Sequence, residues 1–297
     1  MHPRVAYVTH AGSVAPDPDI DAALSAISAT GLDAEARAWD SDTAWDTFDL
    51  VLVRSAWDHA PRRQEFLRWA RWVEDHTQLA NPAVTLARNT DRTYLRDLRK
   101  QGFPVVDTVW LEPGEDQGLC EAQIVARGWE RCAVRPHIGT GSAGVEIVDG
   151  AGPAAQAAGS LAARGAVAMV QPAPWFEDPG AHVSVVLLDG RISHAVAIPA
   201  DHPPAGDPSA VETVAVDTTI ADLANAVFDT ASGGEKLLYA RVDLINDEGD
   251  WQLWGFEATD PCLFLGADTT SAATLGRAVR GWIMPEAKAA DFLVGSG

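Results

Sequence analysis

Lysine is almost missing from this chain of 297 residues: Lys100, Lys236 and Lys288 are the whole complement, so nearly all positive charge is arginine. Positive charge of any kind is outnumbered, with 22 Lys+Arg against 42 Asp+Glu and a net charge of -20. That balance argues against a nucleic-acid partner, since backbone binding depends on clustered cations, and no patch interleaves basic with aromatic residues. Long apolar runs are lacking too. "VSVVLLDG" has only the length of a strand, so neither a membrane span nor a membrane partner is indicated. The opening "MHPRVAYVTHAGS" holds too short an apolar run for a signal peptide, and the expected location is cytoplasmic. Cysteine is scarce: Cys120, Cys132 and Cys262 show no CxxC spacing and no neighbouring His cluster. They read as reduced thiols rather than zinc ligands or nucleophiles. No internal repeat is visible.

A hydrophobic fraction of 47% is present, enough for a substantial core, and the length allows two or three compact units. The acidity favours solubility, names no ligand and leaves homo-oligomerisation open.

Strand and helix patterns alternate at the start. "RVAYVTH" reads as a strand and "PDIDAALSAISATG" as a helix closed by Gly31, and "DLVLVRSAW" is a buried parallel-strand candidate. "RRQEFLRWARWVEDH" places Phe66, Leu67, Trp69, Ala70, Trp72 and Val73 at helical spacing. The expectation is a small α/β domain over residues 1–85, with its ligand face at the carboxyl ends of the strands. A helix is expected from Asp91 to Lys100, ended by Gly102. The middle turns to short strands, "CAVRP", "AGVEIVDG" and "VAMVQPAP". "AHVSVVLLDGRISHAVAIPA" predicts a hairpin about Asp189–Gly190. Residues 219–232 and 268–283 look helical, and between them "LLYARVDLI" and "WQLWGFEAT" form a second hairpin. The segment 201–217, rich in proline and small residues, reads as a loop.

Chemistry concentrates in the second hairpin. Arg241, Asp243, Gly255 and Glu257 share a face if its loop has odd length and no bulge. Cross-strand or diagonal neighbours lie about 4.5–8 Å apart, within reach of a bridging cation. On geometry alone a structural ion pair with Arg241 is the alternative explanation of the acids, and the more economical one. In "VRPHIGTGSAG", Arg135 at a strand end precedes Gly139, Gly141 and Gly144, whose backbone N–H groups can face an anion. The loop lacks the GxxxxGK[ST] pattern. Arg54, Ser55, Trp57 and Asp58 end a buried-strand candidate, where α/β folds place ligands. Arg54 suits a substrate carboxylate and Asp58 an amine, unless the two pair internally. His10, at the end of the first strand, is a further pocket candidate, while Tyr94 and Trp175 read as packing residues.

In order, "VLVRSAWD", "NTDRTYLRDL", "GFPVVDT", "CAVRPHIGTGSAG", "VQPAPW", "VSVVLLDGRISHAV", "YARVDLI" and "FEATDPCLFL" resemble the ATP-grasp superfamily. The resemblance is strongest to its small carboxylate–amine ligases, among them D-alanine–D-alanine ligase and the D-cycloserine-forming O-ureido-serine cyclo-ligase. It implies an α/β protein, α+β in its C-terminal part. A parallel-sheet domain (1–85) would precede two antiparallel-sheet subdomains (86–172 and 173–297) that enclose a nucleotide.

The implied cofactors are ATP and Mg²⁺, and the implied partner is a small amino-acid-like substrate. By resemblance, Arg92 and Arg135 take the places of two phosphate-binding lysines, and Gln171 to Pro174, including Pro172, form the adenine-side hinge. Arg241 matches the arginine that steadies the transferred phosphate. Asp243, Glu257 and Thr259 fall on the magnesium-binding positions. The chain departs from the family where both lysines are arginine, His182 replaces an acid near the ribose, a later cation is lost at Ile198, and Thr259 replaces asparagine. Asp260 is a candidate to compensate for Thr259. The implied reaction is attack of a carboxylate on the γ-phosphate of ATP, then capture of the acyl phosphate by an amine. The departures leave open a catalytically impaired binding protein of the same fold.

Overall fold

The computed structural model describes residues 2–12, 17–140, 144–173, 181–199 and 211–285. The predicted alternation at the start yields a parallel four-stranded sheet in the order β2-β1-β3-β4. Its elements are β1 (Arg4–Thr9), α1 (Ile20–Ser28), β2 (Asp33–Ala38), β3 (Leu50–Val53), α2 (Arg63–His76) and β4 (Gln78–Ala80). The central strands β1 and β3 are apolar on both faces because helices cover both. On one side Ile27 of α1 packs over Val5, Tyr7 and Leu50; on the other Phe66, Ala70 and Val73 of α2 pack over Ala6, Val8 and Val51.

Two short helices, α3 (Ala83–Asn89) and α4 (Tyr94–Lys100), lead into an antiparallel sheet of order β5-β8-β6-β7. It comprises β5 (Val109–Leu111), β6 (Arg131–Pro136), β7 (Glu146–Asp149) and β8 (Ala168–Pro172), with α5 (Gln117–Ala126) and α6 (Ala151–Ala163) between them. Ile124, Ala154, Ala155 and Ala158 bury one face of this sheet.

The last sheet, β11-β10-β9-β12-β13, is antiparallel. The hairpin of β9 (His182–Leu188) and β10 (Arg191–Ala197) turns at Asp189 and Gly190, both in the left-handed region (φ 47° and 74°), as a type I′ turn demands. β11 (Glu212–Thr213) lies inside the expected loop 201–217, of which residues 201–210 fall outside the described residues. Helix α7 (Thr218–Ala231), N-capped by the Asp217 side chain, covers one face of the sheet through Ile220, Ala224, Val227 and Phe228. Strands β12 (Tyr239–Asp247) and β13 (Asp250–Glu257) follow, and α8 (Ser271–Ile283) returns to pack Leu275 and Val279 into the core shared with α1. The two antiparallel sheets meet where Val106 N–H donates to Leu253 O (3.0 Å) and Leu253 N–H donates to Pro104 O (2.7 Å).

Candidate active site

The acids of the late hairpin do share a face, by a route other than the expected one. The loop holds two residues, Glu248 and Gly249 (φ 51° and 102°), between the opposed Asp247 and Asp250. An even loop alone would put Asp243 and Glu257 out of phase. A register shift between Asp243 and Leu244 reverses the parity: Leu244 faces Leu253, whereas Asp243 faces Gly255 and Arg241 faces Glu257. The bulged residue is Trp254. Its carbonyl accepts from Arg135 Nη2 at 3.0 Å and its ring lies 4.0 Å beneath that guanidinium. The irregularity both aligns the acids and seats an arginine of the facing sheet.

Asp243 is buried and held by three hydrogen bonds from two side chains. Arg241 donates through Nε (2.8 Å) and Nη2 (2.9 Å), and the Ser184 hydroxyl of β9 donates at 2.6 Å. Burial alone would raise the Asp243 carboxyl; the Arg241 charge and hydrogen bonds prevail and hold it below the usual range. Glu257 is the contrast. Burial raises its pKa, and Arg92, with Nη2 at 3.9 Å from Oε1, does not offset it. Gly255 is the floor between the two acids: a Cβ there would lie 3.6 Å from Glu257 Oε1 and 3.7 Å from Asp243 Oδ2. Thr259 donates its hydroxyl to Asn89 Oδ1 at 3.0 Å, and Asp260 is engaged by His59.

Opposite stand two buried arginines. Arg92 is tied to the glycine-rich loop through its backbone N–H to His137 O (2.8 Å). Burial, followed by the charge of Arg92, pulls the Arg135 pKa down to about 9, and Arg135 Nε has no hydrogen-bond partner among the described residues. Gly139 lies in this loop; Gly141 falls outside the described residues, as do Pro174 and Trp175. Gln171 is fully buried on β8 and donates to Thr108 Oγ1 (3.0 Å), while its Oε1 has no described partner; Pro172 ends the strand. His182 lies near Asp243 on β9, and burial drives its pKa down to about 4.

These groups fit a polyphosphate and a hard cation. Two buried guanidiniums that repel each other gain from an anion between them. Among the described residues no three His, Cys, Asp or Glu side chains gather to hold a metal. Two carboxylates over a glycine floor suit Mg²⁺, which keeps waters and takes substrate phosphates as its remaining ligands.

The residues that follow β3 are arranged differently from the internal pairing considered above. Arg54 and Asp58 do not pair. Arg54 is buried, donates through Nη2 to Pro261 O (2.7 Å) and lies 4.6 Å over the Tyr239 ring, with Nε and Nη1 unpartnered among the described residues. Asp58 accepts from Trp39 Nε1 (2.7 Å) and stands 3.8 Å from Arg62. Ser55 is fully buried with its hydroxyl unpartnered among the described residues. Trp57 donates to Asp260 O (2.9 Å), and its ring is 6.1 Å from His10.

Three contributors escaped the sequence reading. Tyr94, read as packing, accepts from Phe256 N–H and donates to Phe256 O, each at 2.8 Å, on the open edge of β13. Asn89 takes the same edge through Phe256 O and Ala258 N–H. His59 packs on Phe66 and reaches Asp260. None leaves a local signal, because each partner is remote in sequence.

A family model described as D-cycloserine synthetase DcsG, N-terminal domain, matches residues 5–81. The cycloserine biosynthesis protein DcsG of Streptomyces lavendulae is 32% identical over 197 residues; the match covers 65% of this chain and 66% of that relative, just under two thirds of its length. The crystal structure of D-cycloserine synthetase DcsG is similar with a TM-score of 0.85 and 27% identity, covering 94% of this chain and 99% of that one. D-alanine–D-alanine ligase from Bacillus anthracis, complexed with ATP, shares the fold at a TM-score of 0.68 and 13% identity, covering 95% and 98%. The likeness to the two structures extends over 94% and 95% of this chain, and the chain has the ATP-grasp fold, a parallel N-terminal sheet followed by two antiparallel sheets.

Proposed function

We propose that this chain is an ATP- and Mg²⁺-dependent, ADP-forming ligase. It activates the carboxylate of a small amino-acid-like molecule as an acyl phosphate, which an amine of the same molecule captures to close a ring. The observation that carries the reading is the face shared by Arg241, Asp243, Gly255 and Glu257, set beneath the buried Arg92 and Arg135. Ring closure is favoured over joining two molecules because the relative similar at 27% identity is a D-cycloserine synthetase, whereas the D-alanine–D-alanine ligase shares only the fold.

In this reading residues 1–85 form the substrate wall, and residues 86–172 and 173–297 are the two halves that enclose the nucleotide. Arg92, Arg135 and the backbone N–H groups of Gly139 and Gly141 hold phosphate oxygens. Gln171 and Pro172 border the base, and His182, neutral at pH 7, borders the ribose. Asp243 and Glu257, with Thr259, would hold Mg²⁺, which would supply positive charge to offset that of the phosphates. Asp243, itself held by the Ser184 hydroxyl, fixes the plane of the Arg241 guanidinium, so that it meets the transferred phosphate without reorganising. Arg54, Ser55, Trp57, Asp58 and His10 form the wall. Asp58 suits the substrate amine, and the two nitrogens of Arg54 that have no partner among the described residues suit a carboxylate.

The test is ADP release with Mg²⁺ across O-ureido-serine and other small amine-bearing acids, with mass detection of product. A cyclic product formed with stoichiometric ADP is expected. Failure to bind any nucleotide in the presence of Mg²⁺ overturns the reading.

A further inference from the structure

Glu257 is the last residue of β13, and β13 is the outer strand of its sheet. A carboxylate at the end of an edge strand is placed by whatever holds the chain beyond it. That chain, residues 258–262, is gripped from two directions. Asn89 takes Ala258 N–H at 2.7 Å and the Thr259 hydroxyl at 3.0 Å. The second grip comes from the segment that leaves β3 at the substrate wall. Arg54 Nη2 donates to Pro261 O at 2.7 Å, Trp57 Nε1 donates to Asp260 O at 2.9 Å, and His59 Nδ1 meets Asp260 Oδ2 at 3.2 Å.

Within this second grip, the His59 contact is the one made between side chains. His59 and Asp260 are both buried, at 1% and 7% exposure. Nδ1 also faces Ala56 O at 3.0 Å, and both its neighbours are acceptors, so Nδ1 carries the hydrogen. Phe66 lies against the imidazole with ring centroids 4.9 Å apart and fixes its plane. The same segment also touches the glycine-rich loop, because Thr140 Oγ1 donates to Trp57 O at 3.1 Å. Residues 54–59 therefore contact both the chain beyond the acids and the loop opposite them.

We infer that His59 and Asp260 are a positioning pair for the ligase reaction. The hydrogen bond between them holds Glu257 and Thr259 in register with Asp243 and links that register to the substrate wall. Neither residue touches the phosphates; each acts through the backbone that carries Glu257. This rests on the ligase reading, and it assigns Asp260 to alignment in place of a missing metal ligand.

The test uses the full chain with His59→Leu, which removes the donor, and His59→Asn, whose amide nitrogen can take the place of Nδ1. Two quantities are read: kcat and KM for MgATP, and the ratio of ADP affinities with and without Mg²⁺ by calorimetry. Substitution of groups that orient metal ligands costs roughly 10–100-fold in metal affinity or activity. His59→Leu is expected to lower kcat about tenfold or more and to shrink the Mg²⁺-dependent gain in ADP affinity to a similar degree, with metal-free ADP affinity unchanged. His59→Asn is expected to restore most of both.

Parent-like values in His59→Leu overturn the inference. So does an equal loss in Leu and Asn variants, which would mark His59 as packing alone. Should the parent bind MgADP yet turn over no substrate, the ligase reading fails while the affinity ratio still decides the role of the pair.

Discussion

Adding one methyl group at Gly255 separates the cation site from the fold that carries it. Gly255 has no positive φ, and an alanine Cβ would meet Glu257 Oε1 at 3.6 Å, Asp243 Oδ2 at 3.7 Å and the Tyr94 hydroxyl at 4.0 Å. These are ordinary van der Waals distances, so no backbone has to move. Replacing glycine by alanine where the backbone permits it stabilises by about 0.4–1 kcal/mol, by narrowing the unfolded ensemble. For a chain of this size that is a rise in Tm of roughly 1–4 °C. The same methyl occupies the floor between two carboxylates that must approach a cation at about 2.0–2.1 Å while it keeps its waters in near-octahedral geometry. Losing the metal geometry should cost at least about 1.4 kcal/mol, a tenfold fall in kcat/KM. Thermal melting and Mg²⁺-dependent ADP release on Gly255→Ala therefore move in opposite directions. A variant that melts at or above the parent temperature and retains its turnover and Mg²⁺ requirement refutes a cation shared by Asp243 and Glu257.

Other expectations follow from the charges. Glu257 has a raised pKa, so its stabilising effect belongs to the protonated form and is lost as pH rises above about 4.5 through the folded value. Glu257→Gln should therefore melt no lower than the parent at pH 7 without ligand while losing Mg²⁺-dependent turnover; a lower melting temperature contradicts the sign. His182, with a folded pKa of about 4 against about 6.5 unfolded, makes the fold lose on the order of 3 kcal/mol as pH falls across that window. His182→Gln should flatten the melting profile between those limits, and an unchanged acid slope counts against the burial. Arg135→Lys forfeits the fork that spans Trp254 O and the indole face, and ATP affinity by calorimetry should fall about tenfold. Unchanged affinity would remove Arg135 from the phosphate site.

What could be read from the sequence were features with a local cause. Asp189–Gly190 announces its turn because both residues tolerate positive φ, and α2 announces itself through one apolar stripe. β2 passed unread: its sequence, DAEARA, has no apolar run, since it is an edge strand with no fully buried position. β4 has three residues and α3 seven, too few for a period to show. The shared face of the acids was anticipated on a wrong condition, because the bulge at Trp254 compensates for an even loop and its purpose lies across the cleft at Arg135. Ser184 on Asp243, Asn89 on Ala258 and His59 on Asp260 are separated by 59, 169 and 201 residues. Contacts of that kind have no pattern along the chain and appear only once three sheets are assembled.

The central claim is that a substrate carboxylate is activated by phosphoryl transfer. The direct measurement is turnover of a substrate whose carboxylate carries heavy oxygen, followed by mass analysis of the phosphate released. The account predicts one heavy oxygen in each phosphate, delivered when the amine displaces the acyl phosphate. Product and ADP formed with wholly unlabelled phosphate would contradict it.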